Sequence, residues 1–221
     1  MNTSVAFVAQ VSAILMGFFT RVVFTRMLSE GYVGINGLFT DILNILSLSE
    51  LGVGTAITYA LYAPIAKGDI KKQQILMRMF RTFYRMTALF VMAAGLCLIP
   101  FLDILMKDRP DVDHLVLIYC LYLLNSVVSY LLIYKKTLID AHQMNYITVL
   151  YHNGFLVLQD VCQIIILITT KNFVLFLSVA VMCTIIGNVC MSRKADALFP
   201  YLKETCHEKL PQEERRDILK N

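Results

Sequence analysis

Charged and amide side chains inside apolar stretches are the residues of this sequence whose types could do chemistry. A charged group at bilayer depth costs roughly 2.5–3.5 kcal/mol on insertion scales, so it persists mainly where it faces a bundle interior or a wet cavity. In the first apolar stretch, Gln10, Gly17 and Arg21 share one helix face through steps of seven and four residues. Arg26 lies one step off that line. The spacing predicts a polar stripe that ends in a cation.

Three further apolar stretches carry polar side chains at helical spacing. The second stretch repeats them every three residues, which predicts a polar ridge that slants across a membrane helix. The members are Asp41, Asn44, Ser47 and Glu50 in the second stretch, Tyr122, Asn125 and Ser129 in the fourth, and Asn153, Gln159, Asp160 and Gln163 in the fifth. Four such stripes predict a hydrated internal cavity rather than a bundle sealed by packing.

These side chains also have ordinary structural explanations. Arg21 and Arg26 lie near a helix end and can extend to the lipid headgroups, and Asp41 can cap the outer end of its helix. Glu50 and Asp160 can form structural salt bridges, whereas a functional carboxylate at that depth would take up a proton or an ion. Both explanations stay open at each position.

The composition of the chain requires a membrane. Of the 221 residues, 57% are hydrophobic and 16% are charged, with a mean hydropathy of +0.64, whereas a soluble domain uses roughly a quarter charged residues to wet its surface. High hydrophobicity excludes a disordered chain. Ten glycines and five prolines without a period exclude a fibrous one. An integral membrane protein remains.

Six stretches are long enough to cross about 30 Å of hydrocarbon, which takes roughly 20 mostly apolar residues in a helix. They cover residues 5–24, 36–62, 83–106, 115–134, 146–170 and 173–191. The expected fold is an all-α membrane bundle of about six transmembrane helices over residues 1–192, followed by a cytoplasmic tail or truncated linker at 193–221. Gly31, Gly34 and Gly37 predict a tight external turn near the start of the second stretch.

The distribution of basic residues predicts the orientation of the chain. Cytoplasmic connections of multi-pass proteins are enriched in Lys and Arg. With the N-terminus inside, about three quarters of the 20 basic side chains fall on the cytoplasmic side. The acidic loop then faces outward with Asp103, Asp108, Asp111 and Asp113. Both termini are therefore expected in the cytoplasm.

Catalytic and metal-binding patterns do not occur in the sequence. No two of the six cysteines have Cys-x-x-Cys spacing, and His114, His142, His152 and His207 lack metal-ligand spacing. No nucleophile elbow or Ser/His/Asp grouping is found. We expect neither an enzyme nor a metal or other cofactor, and no nucleic-acid partner.

Several short segments of the sequence together resemble those of a known family. They are Gly17-Phe-Phe-Thr-Arg21, Glu30-Gly-Tyr-Val-Gly-Ile-Asn-Gly-Leu-Phe39, Leu48-Ser-Glu-Leu-Gly-Val-Gly-Thr-Ala56, Leu61-Tyr-Ala-Pro-Ile-Ala-Lys-Gly-Asp69, Ala141-His-Gln-Met-Asn-Tyr-Ile147 and Lys194-Ala-Asp-Ala-Leu-Phe-Pro-Tyr-Leu202. Over essentially the whole chain they resemble the N-terminal half of Wzx-type oligosaccharide flippases, which belong to the multidrug/oligosaccharidyl-lipid/polysaccharide exporter superfamily.

The resemblance implies one lobe of a two-lobed transporter in the bacterial cytoplasmic membrane. Such a transporter flips polyprenyl-pyrophosphate-linked oligosaccharide repeat units by alternating access, for the synthesis of capsule, exopolysaccharide or O-antigen. The implied partners are this lipid-linked oligosaccharide, membrane lipids, and a second lobe or a homo- or heterodimer partner. Arg21 matches the family's basic residue in the first helix, and Glu50 matches its acidic residue in the second.

Residue roles follow from this implied chemistry. Cations would meet the phosphates, amides would hydrogen-bond the sugar, and a carboxylate would take up a proton or Na⁺ to bias one conformation. The expected substrate-binding residues are Arg21, Arg26, Asn44, Asn125, Gln159 and Gln163. The expected ion-coupling residues are Glu50, Asp160 and Asp41.

Three alternatives stay open. A drug or cation antiporter of the same superfamily would share the fold, but it would favour a more acidic and aromatic cavity than Arg21 indicates. A truncated or accessory membrane subunit would not transport at all. A membrane-embedded sugar transferase would need a catalytic loop, and the outer Asp-rich loop is short for that role.

Overall fold

Eight α-helices account for most of the described chain. The computed structural model describes residues 2–47, 53–102, 106 and 112–203, and within these ranges there are no strands. The helices are α1 (Asn2–Met27), α2 (Glu30–Ser47), α3 (Val53–Ala66), α4 (Ile70–Leu98), α5 (Leu115–Leu131), α6 (Ile133–Ala141), α7 (Asn145–Thr170) and α8 (Phe173–Leu198). Short 3₁₀ helices, Ile99–Phe101 and Pro200–Lys203, follow α4 and α8.

Four of the described helical segments are long and apolar enough to cross a membrane, namely Ala6–Met27, Ile70–Phe101, Asn145–Thr170 and Phe173–Leu198. A fifth crossing forms if α5 and α6, which meet at a bend of 42°, act as one span. The chain is therefore a helical membrane protein, in agreement with the fold class expected from composition.

The second and third predicted stretches differ from the observed helices. The stretch at 36–62 corresponds to α2 and α3, which lie on either side of residues 48–52, and neither alone meets the requirements for a span. The helix that corresponds to the third predicted stretch is α4, which begins at Ile70 rather than at residue 83. Its early turns carry basic side chains on one face, which lower the local hydropathy. Gln73, Met77, Phe80 and Tyr84 nevertheless form a buried face at helical spacing.

The contacts of α8 give the relative directions of the helices. Asn188 donates its amide hydrogen to the Val128 carbonyl oxygen at 3.0 Å, and the Lys135 Nζ donates to the Ser192 Oγ at 2.8 Å. Because the residue numbers rise together in these pairs, α5 and α6 run parallel to α8. The chain turns between α7 and α8 within two residues, so α7 runs antiparallel to them.

The bundle has an aromatic end, which we define by Phe24, Tyr32, Phe173 and Phe176. At this end α1 stops and α2 and α8 begin. The Phe24 ring lies 5.6 Å from that of Phe173 and 5.4 Å from that of Phe176. Tyr32 packs edge-on against Phe173 at 5.2 Å. Packing of these rings joins α1, α2 and α8 at this end and requires no hydrogen bonds between the rings.

The opposite end, which we call the basic end, is joined by polar contacts. The Tyr201 hydroxyl donates to the Gln73 Oε1 at 2.6 Å, and the Gln74 Nε2 donates to the Tyr201 carbonyl oxygen at 2.6 Å. Lys135 forms an ion pair with Asp196 at 2.7 Å, and both side chains are largely buried. These contacts connect the start of α4 and the start of α6 to the end of α8.

The segment made of α2 and α3 runs from one end of the bundle to the other. Its first turn lies at the aromatic end through Tyr32 and Phe173. Its last turn lies at the basic end, where the Gln73 Nε2 donates to the Pro64 carbonyl oxygen at 3.3 Å. The segment therefore covers the length of the bundle, as the predicted second span requires, but with two described helices instead of one.

The predicted external turn at the glycines is wrong. Gly31, Gly34 and Gly37 all lie inside α2. Each glycine in a helix interior costs about 1 kcal/mol relative to alanine, and this cost is offset by the packing of Ile35 and Phe39, which are at most 2% exposed. Tertiary packing thus overrides a local preference for a turn.

We predict opposite stability changes for two glycine-to-alanine substitutions. A Cβ at Gly34 would meet nothing within 4 Å, so Gly34→Ala should stabilise the protein by about 1 kcal/mol through helix propensity. Gly68, in the turn between α3 and α4, has a φ of 66° that alanine adopts poorly. Gly68→Ala should destabilise by about 1 kcal/mol. Denaturation of both variants in detergent micelles measures the two changes, and a loss of stability for Gly34→Ala would contradict the helix.

Candidate functional site

The predicted polar stripes of α1 and α7 meet in a contact that we call the α1/α7 seam, made of Gln10, Gly17, Thr20, Asn153 and Asp160. The Asn153 Nδ2 donates to the Gln10 Oε1 at 2.8 Å. A Cβ on Gly17 would lie 3.9 Å from the Asp160 Oδ2. Thr20 lies beside Asp160, and its hydroxyl donates to the Met16 carbonyl oxygen of its own helix at 3.0 Å. The small residue at position 17 lets the carboxylate approach the α1 backbone closely.

The register of the seam fixes the direction of α1. Position 10 pairs with 153, and position 17 pairs with 160, so both members advance by seven residues. The two helices therefore run parallel and cross the membrane in the same direction. Asp160 lies about 16 Å along the helix axis from Lys171, which is about half of the hydrocarbon thickness.

The seam changes the interpretation of the α1 and α7 stripes. The sequence predicted a hydrated cavity between polar faces, but at two levels these faces contact each other directly. The Gln163 amide is also engaged, since its buried Nε2 donates to the Phe176 carbonyl oxygen at 3.0 Å. Gln163 thus joins α7 to α8, while the neighbouring Gln159 is only half-buried.

A second polar group, which we call the Arg21 cluster, joins α1, α2 and α5 through Arg21, Asn36 and Tyr122. The Arg21 guanidinium lies 5.6 Å from the centre of the Phe24 ring. It is also close enough to the Tyr122 hydroxyl to interact with it electrostatically. That hydroxyl donates to the Asn36 Oδ1. The exposed Arg21 guanidinium and the hydrogen-bonded Tyr122 hydroxyl therefore lie close together in the apolar bundle.

Asn125 lies one turn beyond Tyr122 on α5. Among the described residues, its Oδ1 is the buried side-chain polar atom that has no hydrogen-bond partner. An unsatisfied buried acceptor costs about 1–3 kcal/mol. Such an atom is suited to accept a hydrogen bond from a hydroxyl or a water that enters the bundle.

The remaining predicted residues are distributed around these two groups. Arg26 is exposed at the last turn of α1. Asp41 and Asn44 are exposed on α2, and Asn44 interacts with another residue. Glu50 lies outside the described residues, so its predicted coupling role stays a prediction. The fold brings Arg21 close to the α5 stripe and Asp160 into the α1/α7 seam.

Several polar contacts between helices escaped the sequence interpretation. Asn36 was not among the predicted polar positions, and its partner Tyr122 lies 86 residues further along the chain. The ion pair of Lys135 with Asp196 was also missed, although a lysine at the end of an apolar stretch is a usable signal for a buried partner. Helical spacing groups residues on one helix, whereas pairing between helices depends on the packing.

No metal site is present in the described part of the chain, where no three His, Cys, Asp or Glu side chains group closely enough to hold an ion. Comparisons with protein-family models, with curated proteins and with solved structures found no match to this chain. The resemblance to oligosaccharide flippases therefore stays a prediction from sequence.

We predict that the parallel register can be captured by a disulfide. In a background in which the six native cysteines are replaced, Gln10→Cys with Asn153→Cys should cross-link on mild oxidation, because these side chains touch. The control pair, Gln10→Cys with Asp160→Cys, is displaced by about 10 Å along the helix and should not cross-link. Mass spectrometry of the digested protein detects the linked peptides. Cross-linking of the control pair alone would overturn the register.

Proposed function

We propose that this chain is one lobe of a membrane transporter that moves a polyprenyl-pyrophosphate-linked oligosaccharide across the bacterial cytoplasmic membrane. Both termini face the cytoplasm in this proposal, as the excess of basic residues at one end of the bundle favours. The helices α2 and α3 together form the sixth crossing, in addition to the five spans. A second lobe, from a further segment, a second copy or another chain, completes the path.

The observation that carries the proposal is the unpartnered Asn125 Oδ1 beside the Arg21 cluster. A buried acceptor without a partner, one turn from a phenol that itself lies close to the Arg21 charge, suits a ligand that brings both hydroxyl groups and negative charge. A lipid-linked sugar pyrophosphate has this combination. The apolar surroundings suit its lipid tail, which can remain in the bilayer.

The Arg21 guanidinium would bind the pyrophosphate. Guanidinium groups match phosphate geometry through two parallel hydrogen bonds, and the exposed position of Arg21 leaves it accessible. Arg26, one turn further toward the helix end, would add a second cation for the same headgroup. Asn125, with Asn44 and Gln159 in the other stripes, would hydrogen-bond sugar hydroxyls. Gln163 contributes through helix packing, since its Nε2 is already engaged.

Carboxylates would couple the conformational change to an ion gradient. Asp160 is half-buried near mid-depth and faces α1 at Gly17 and Thr20. Uptake of a proton or Na⁺ there would change the contact between α1 and α7 and so bias one conformation. Glu50 and Asp41 on the second crossing would contribute in the same way. A ligand can shift such an equilibrium only by its differential affinity for the two states.

We predict that Arg21→Ala weakens binding of a polyprenyl-pyrophosphate-linked sugar by roughly 10- to 100-fold, because a charge-assisted hydrogen bond contributes about 1.5–3 kcal/mol. The control is Lys171→Gln, which removes an exposed cation from the turn between α7 and α8. Binding to the detergent-solubilised chain can be measured by native mass spectrometry. Equal affinities for Arg21→Ala and the parent chain would exclude the phosphate contact, and binding of a cationic dye instead would favour the antiporter alternative.

Transport by the chain with its partner lobe tests the coupling residue. Glu50→Gln should leave sugar-lipid binding and membrane insertion intact but abolish flipping into proteoliposomes. Normal flipping by this variant would remove Glu50 from the mechanism.

We predict that Asn125→Leu separates function from stability. Leucine removes an unsatisfied buried acceptor, so the variant should be as stable as the parent protein or more stable by about 1 kcal/mol. Its binding of the sugar-linked lipid should nevertheless fall by about 10-fold, while binding of the same lipid pyrophosphate without sugar is retained. A clear loss of stability would instead indicate a structural role for Asn125. Thermal unfolding and native mass spectrometry provide the two measurements.

A further inference from the structure

The exposed face of α4 changes from charged to apolar within one turn. Arg81 and Arg85 are exposed on this face. The next exposed side chains are Met86, Leu89 and Phe90, which are 66%, 61% and 58% exposed. The opposite face of the helix is buried throughout. A boundary of this kind on one helix face marks the level at which lipid tails give way to headgroups.

The register of α4 against α8 gives the same level independently. The Gln74 side chain donates to the Tyr201 carbonyl oxygen, so the start of α4 and the end of α8 lie at the same level. With equal rise on both helices, Arg85 lies level with about residue 190 of α8. The apolar part of α8 stops there, immediately before Ser192 and Arg193. From Phe173 to this level is about 26 Å, close to the thickness of the hydrocarbon core.

The surroundings of the two guanidinium groups favour an anion. Within the described ranges, neither Arg81 nor Arg85 forms an ion pair. The described acidic side chains at the basic end are already engaged: Asp69 caps α4, Asp140 accepts a hydrogen bond from Thr148, and Asp196 pairs with Lys135. None of the described carboxylates therefore neutralises this pair.

We propose that Arg81 and Arg85 form a binding site for the headgroups of anionic phospholipids in the leaflet at the basic end. The two residues are four apart, so their side chains lie on the same helix face and can hold one phosphate between them. Met86, Leu89 and Phe90 contact the acyl chains of the bound lipid. The site does not depend on the proposed transport, because it lies on the outer surface of α4 and binds a bulk lipid.

Electron paramagnetic resonance of spin-labelled lipids tests the site in the full chain. The protein is reconstituted in phosphatidylcholine bilayers that contain a trace of spin-labelled phosphatidylglycerol or spin-labelled phosphatidylcholine. The motionally restricted fraction gives the relative association constant. We expect phosphatidylglycerol to be favoured by about fivefold for each guanidinium group, and Arg81→Gln with Arg85→Gln to bring the two lipids close to equality.

The control is Lys67→Gln with Lys71→Gln, which removes the same charge from exposed positions at the same end. Lys71 lies about 21 Å along α4 from Arg85, beyond the screening length of about 8–10 Å. The control should therefore keep the selectivity for phosphatidylglycerol. The proposal is overturned if the unmodified chain shows no selectivity, if both double variants lose it equally, or if excess inorganic phosphate abolishes it.

Discussion

The absence of water from the bilayer is the constraint on which this structure depends. Every polar side chain that enters the hydrocarbon must find a partner in the protein or carry a cost of several kcal/mol. Gln10 finds Asn153, Tyr122 finds Asn36, and Gln163 finds a backbone carbonyl of the next helix. These contacts are few, but each one fixes both the neighbour and the register of a helix whose surface is otherwise uniformly apolar.

The two ends of the bundle satisfy the same constraint by different means. At the aromatic end, packing between rings such as Phe24 and Phe173 joins the helices. At the basic end, where water and headgroups are close, the ion pair of Lys135 with Asp196 and the hydrogen bonds of Tyr201 join the helices. Burial raises the pKa of the Tyr201 hydroxyl, which donates to the Gln73 side chain.

Composition and periodicity predicted the membrane class and most helices correctly, because hydropathy follows directly from side-chain type. They failed where one helix has both a charged face and a buried face. The start of α4 carries basic residues on one face and buried apolar residues on the other, so the mean hydropathy of these turns is too low to show that they belong to the helix. The glycines of α2 predicted a turn because local propensity was considered without the packing of Ile35 and Phe39. Polar stripes were located correctly at Gln10, Gly17 and Asp160, but whether two stripes face each other or a cavity depends on helix pairing, which spacing on one helix does not contain.

The polar groups inside the bundle therefore divide into two kinds. Gln163 and Asn153 have their amide hydrogens bonded to groups on neighbouring helices, so their burial is explained by the fold alone. The Asn125 oxygen has no such partner within the described ranges, and folding gains nothing from its burial. Stability therefore gives no reason for this buried oxygen. Binding of a ligand would give such a reason, because Asn125 lies one turn from Tyr122, whose hydroxyl is close to the Arg21 charge. A ligand that carries hydroxyl groups and phosphate would satisfy the Asn125 oxygen and the Arg21 guanidinium at once.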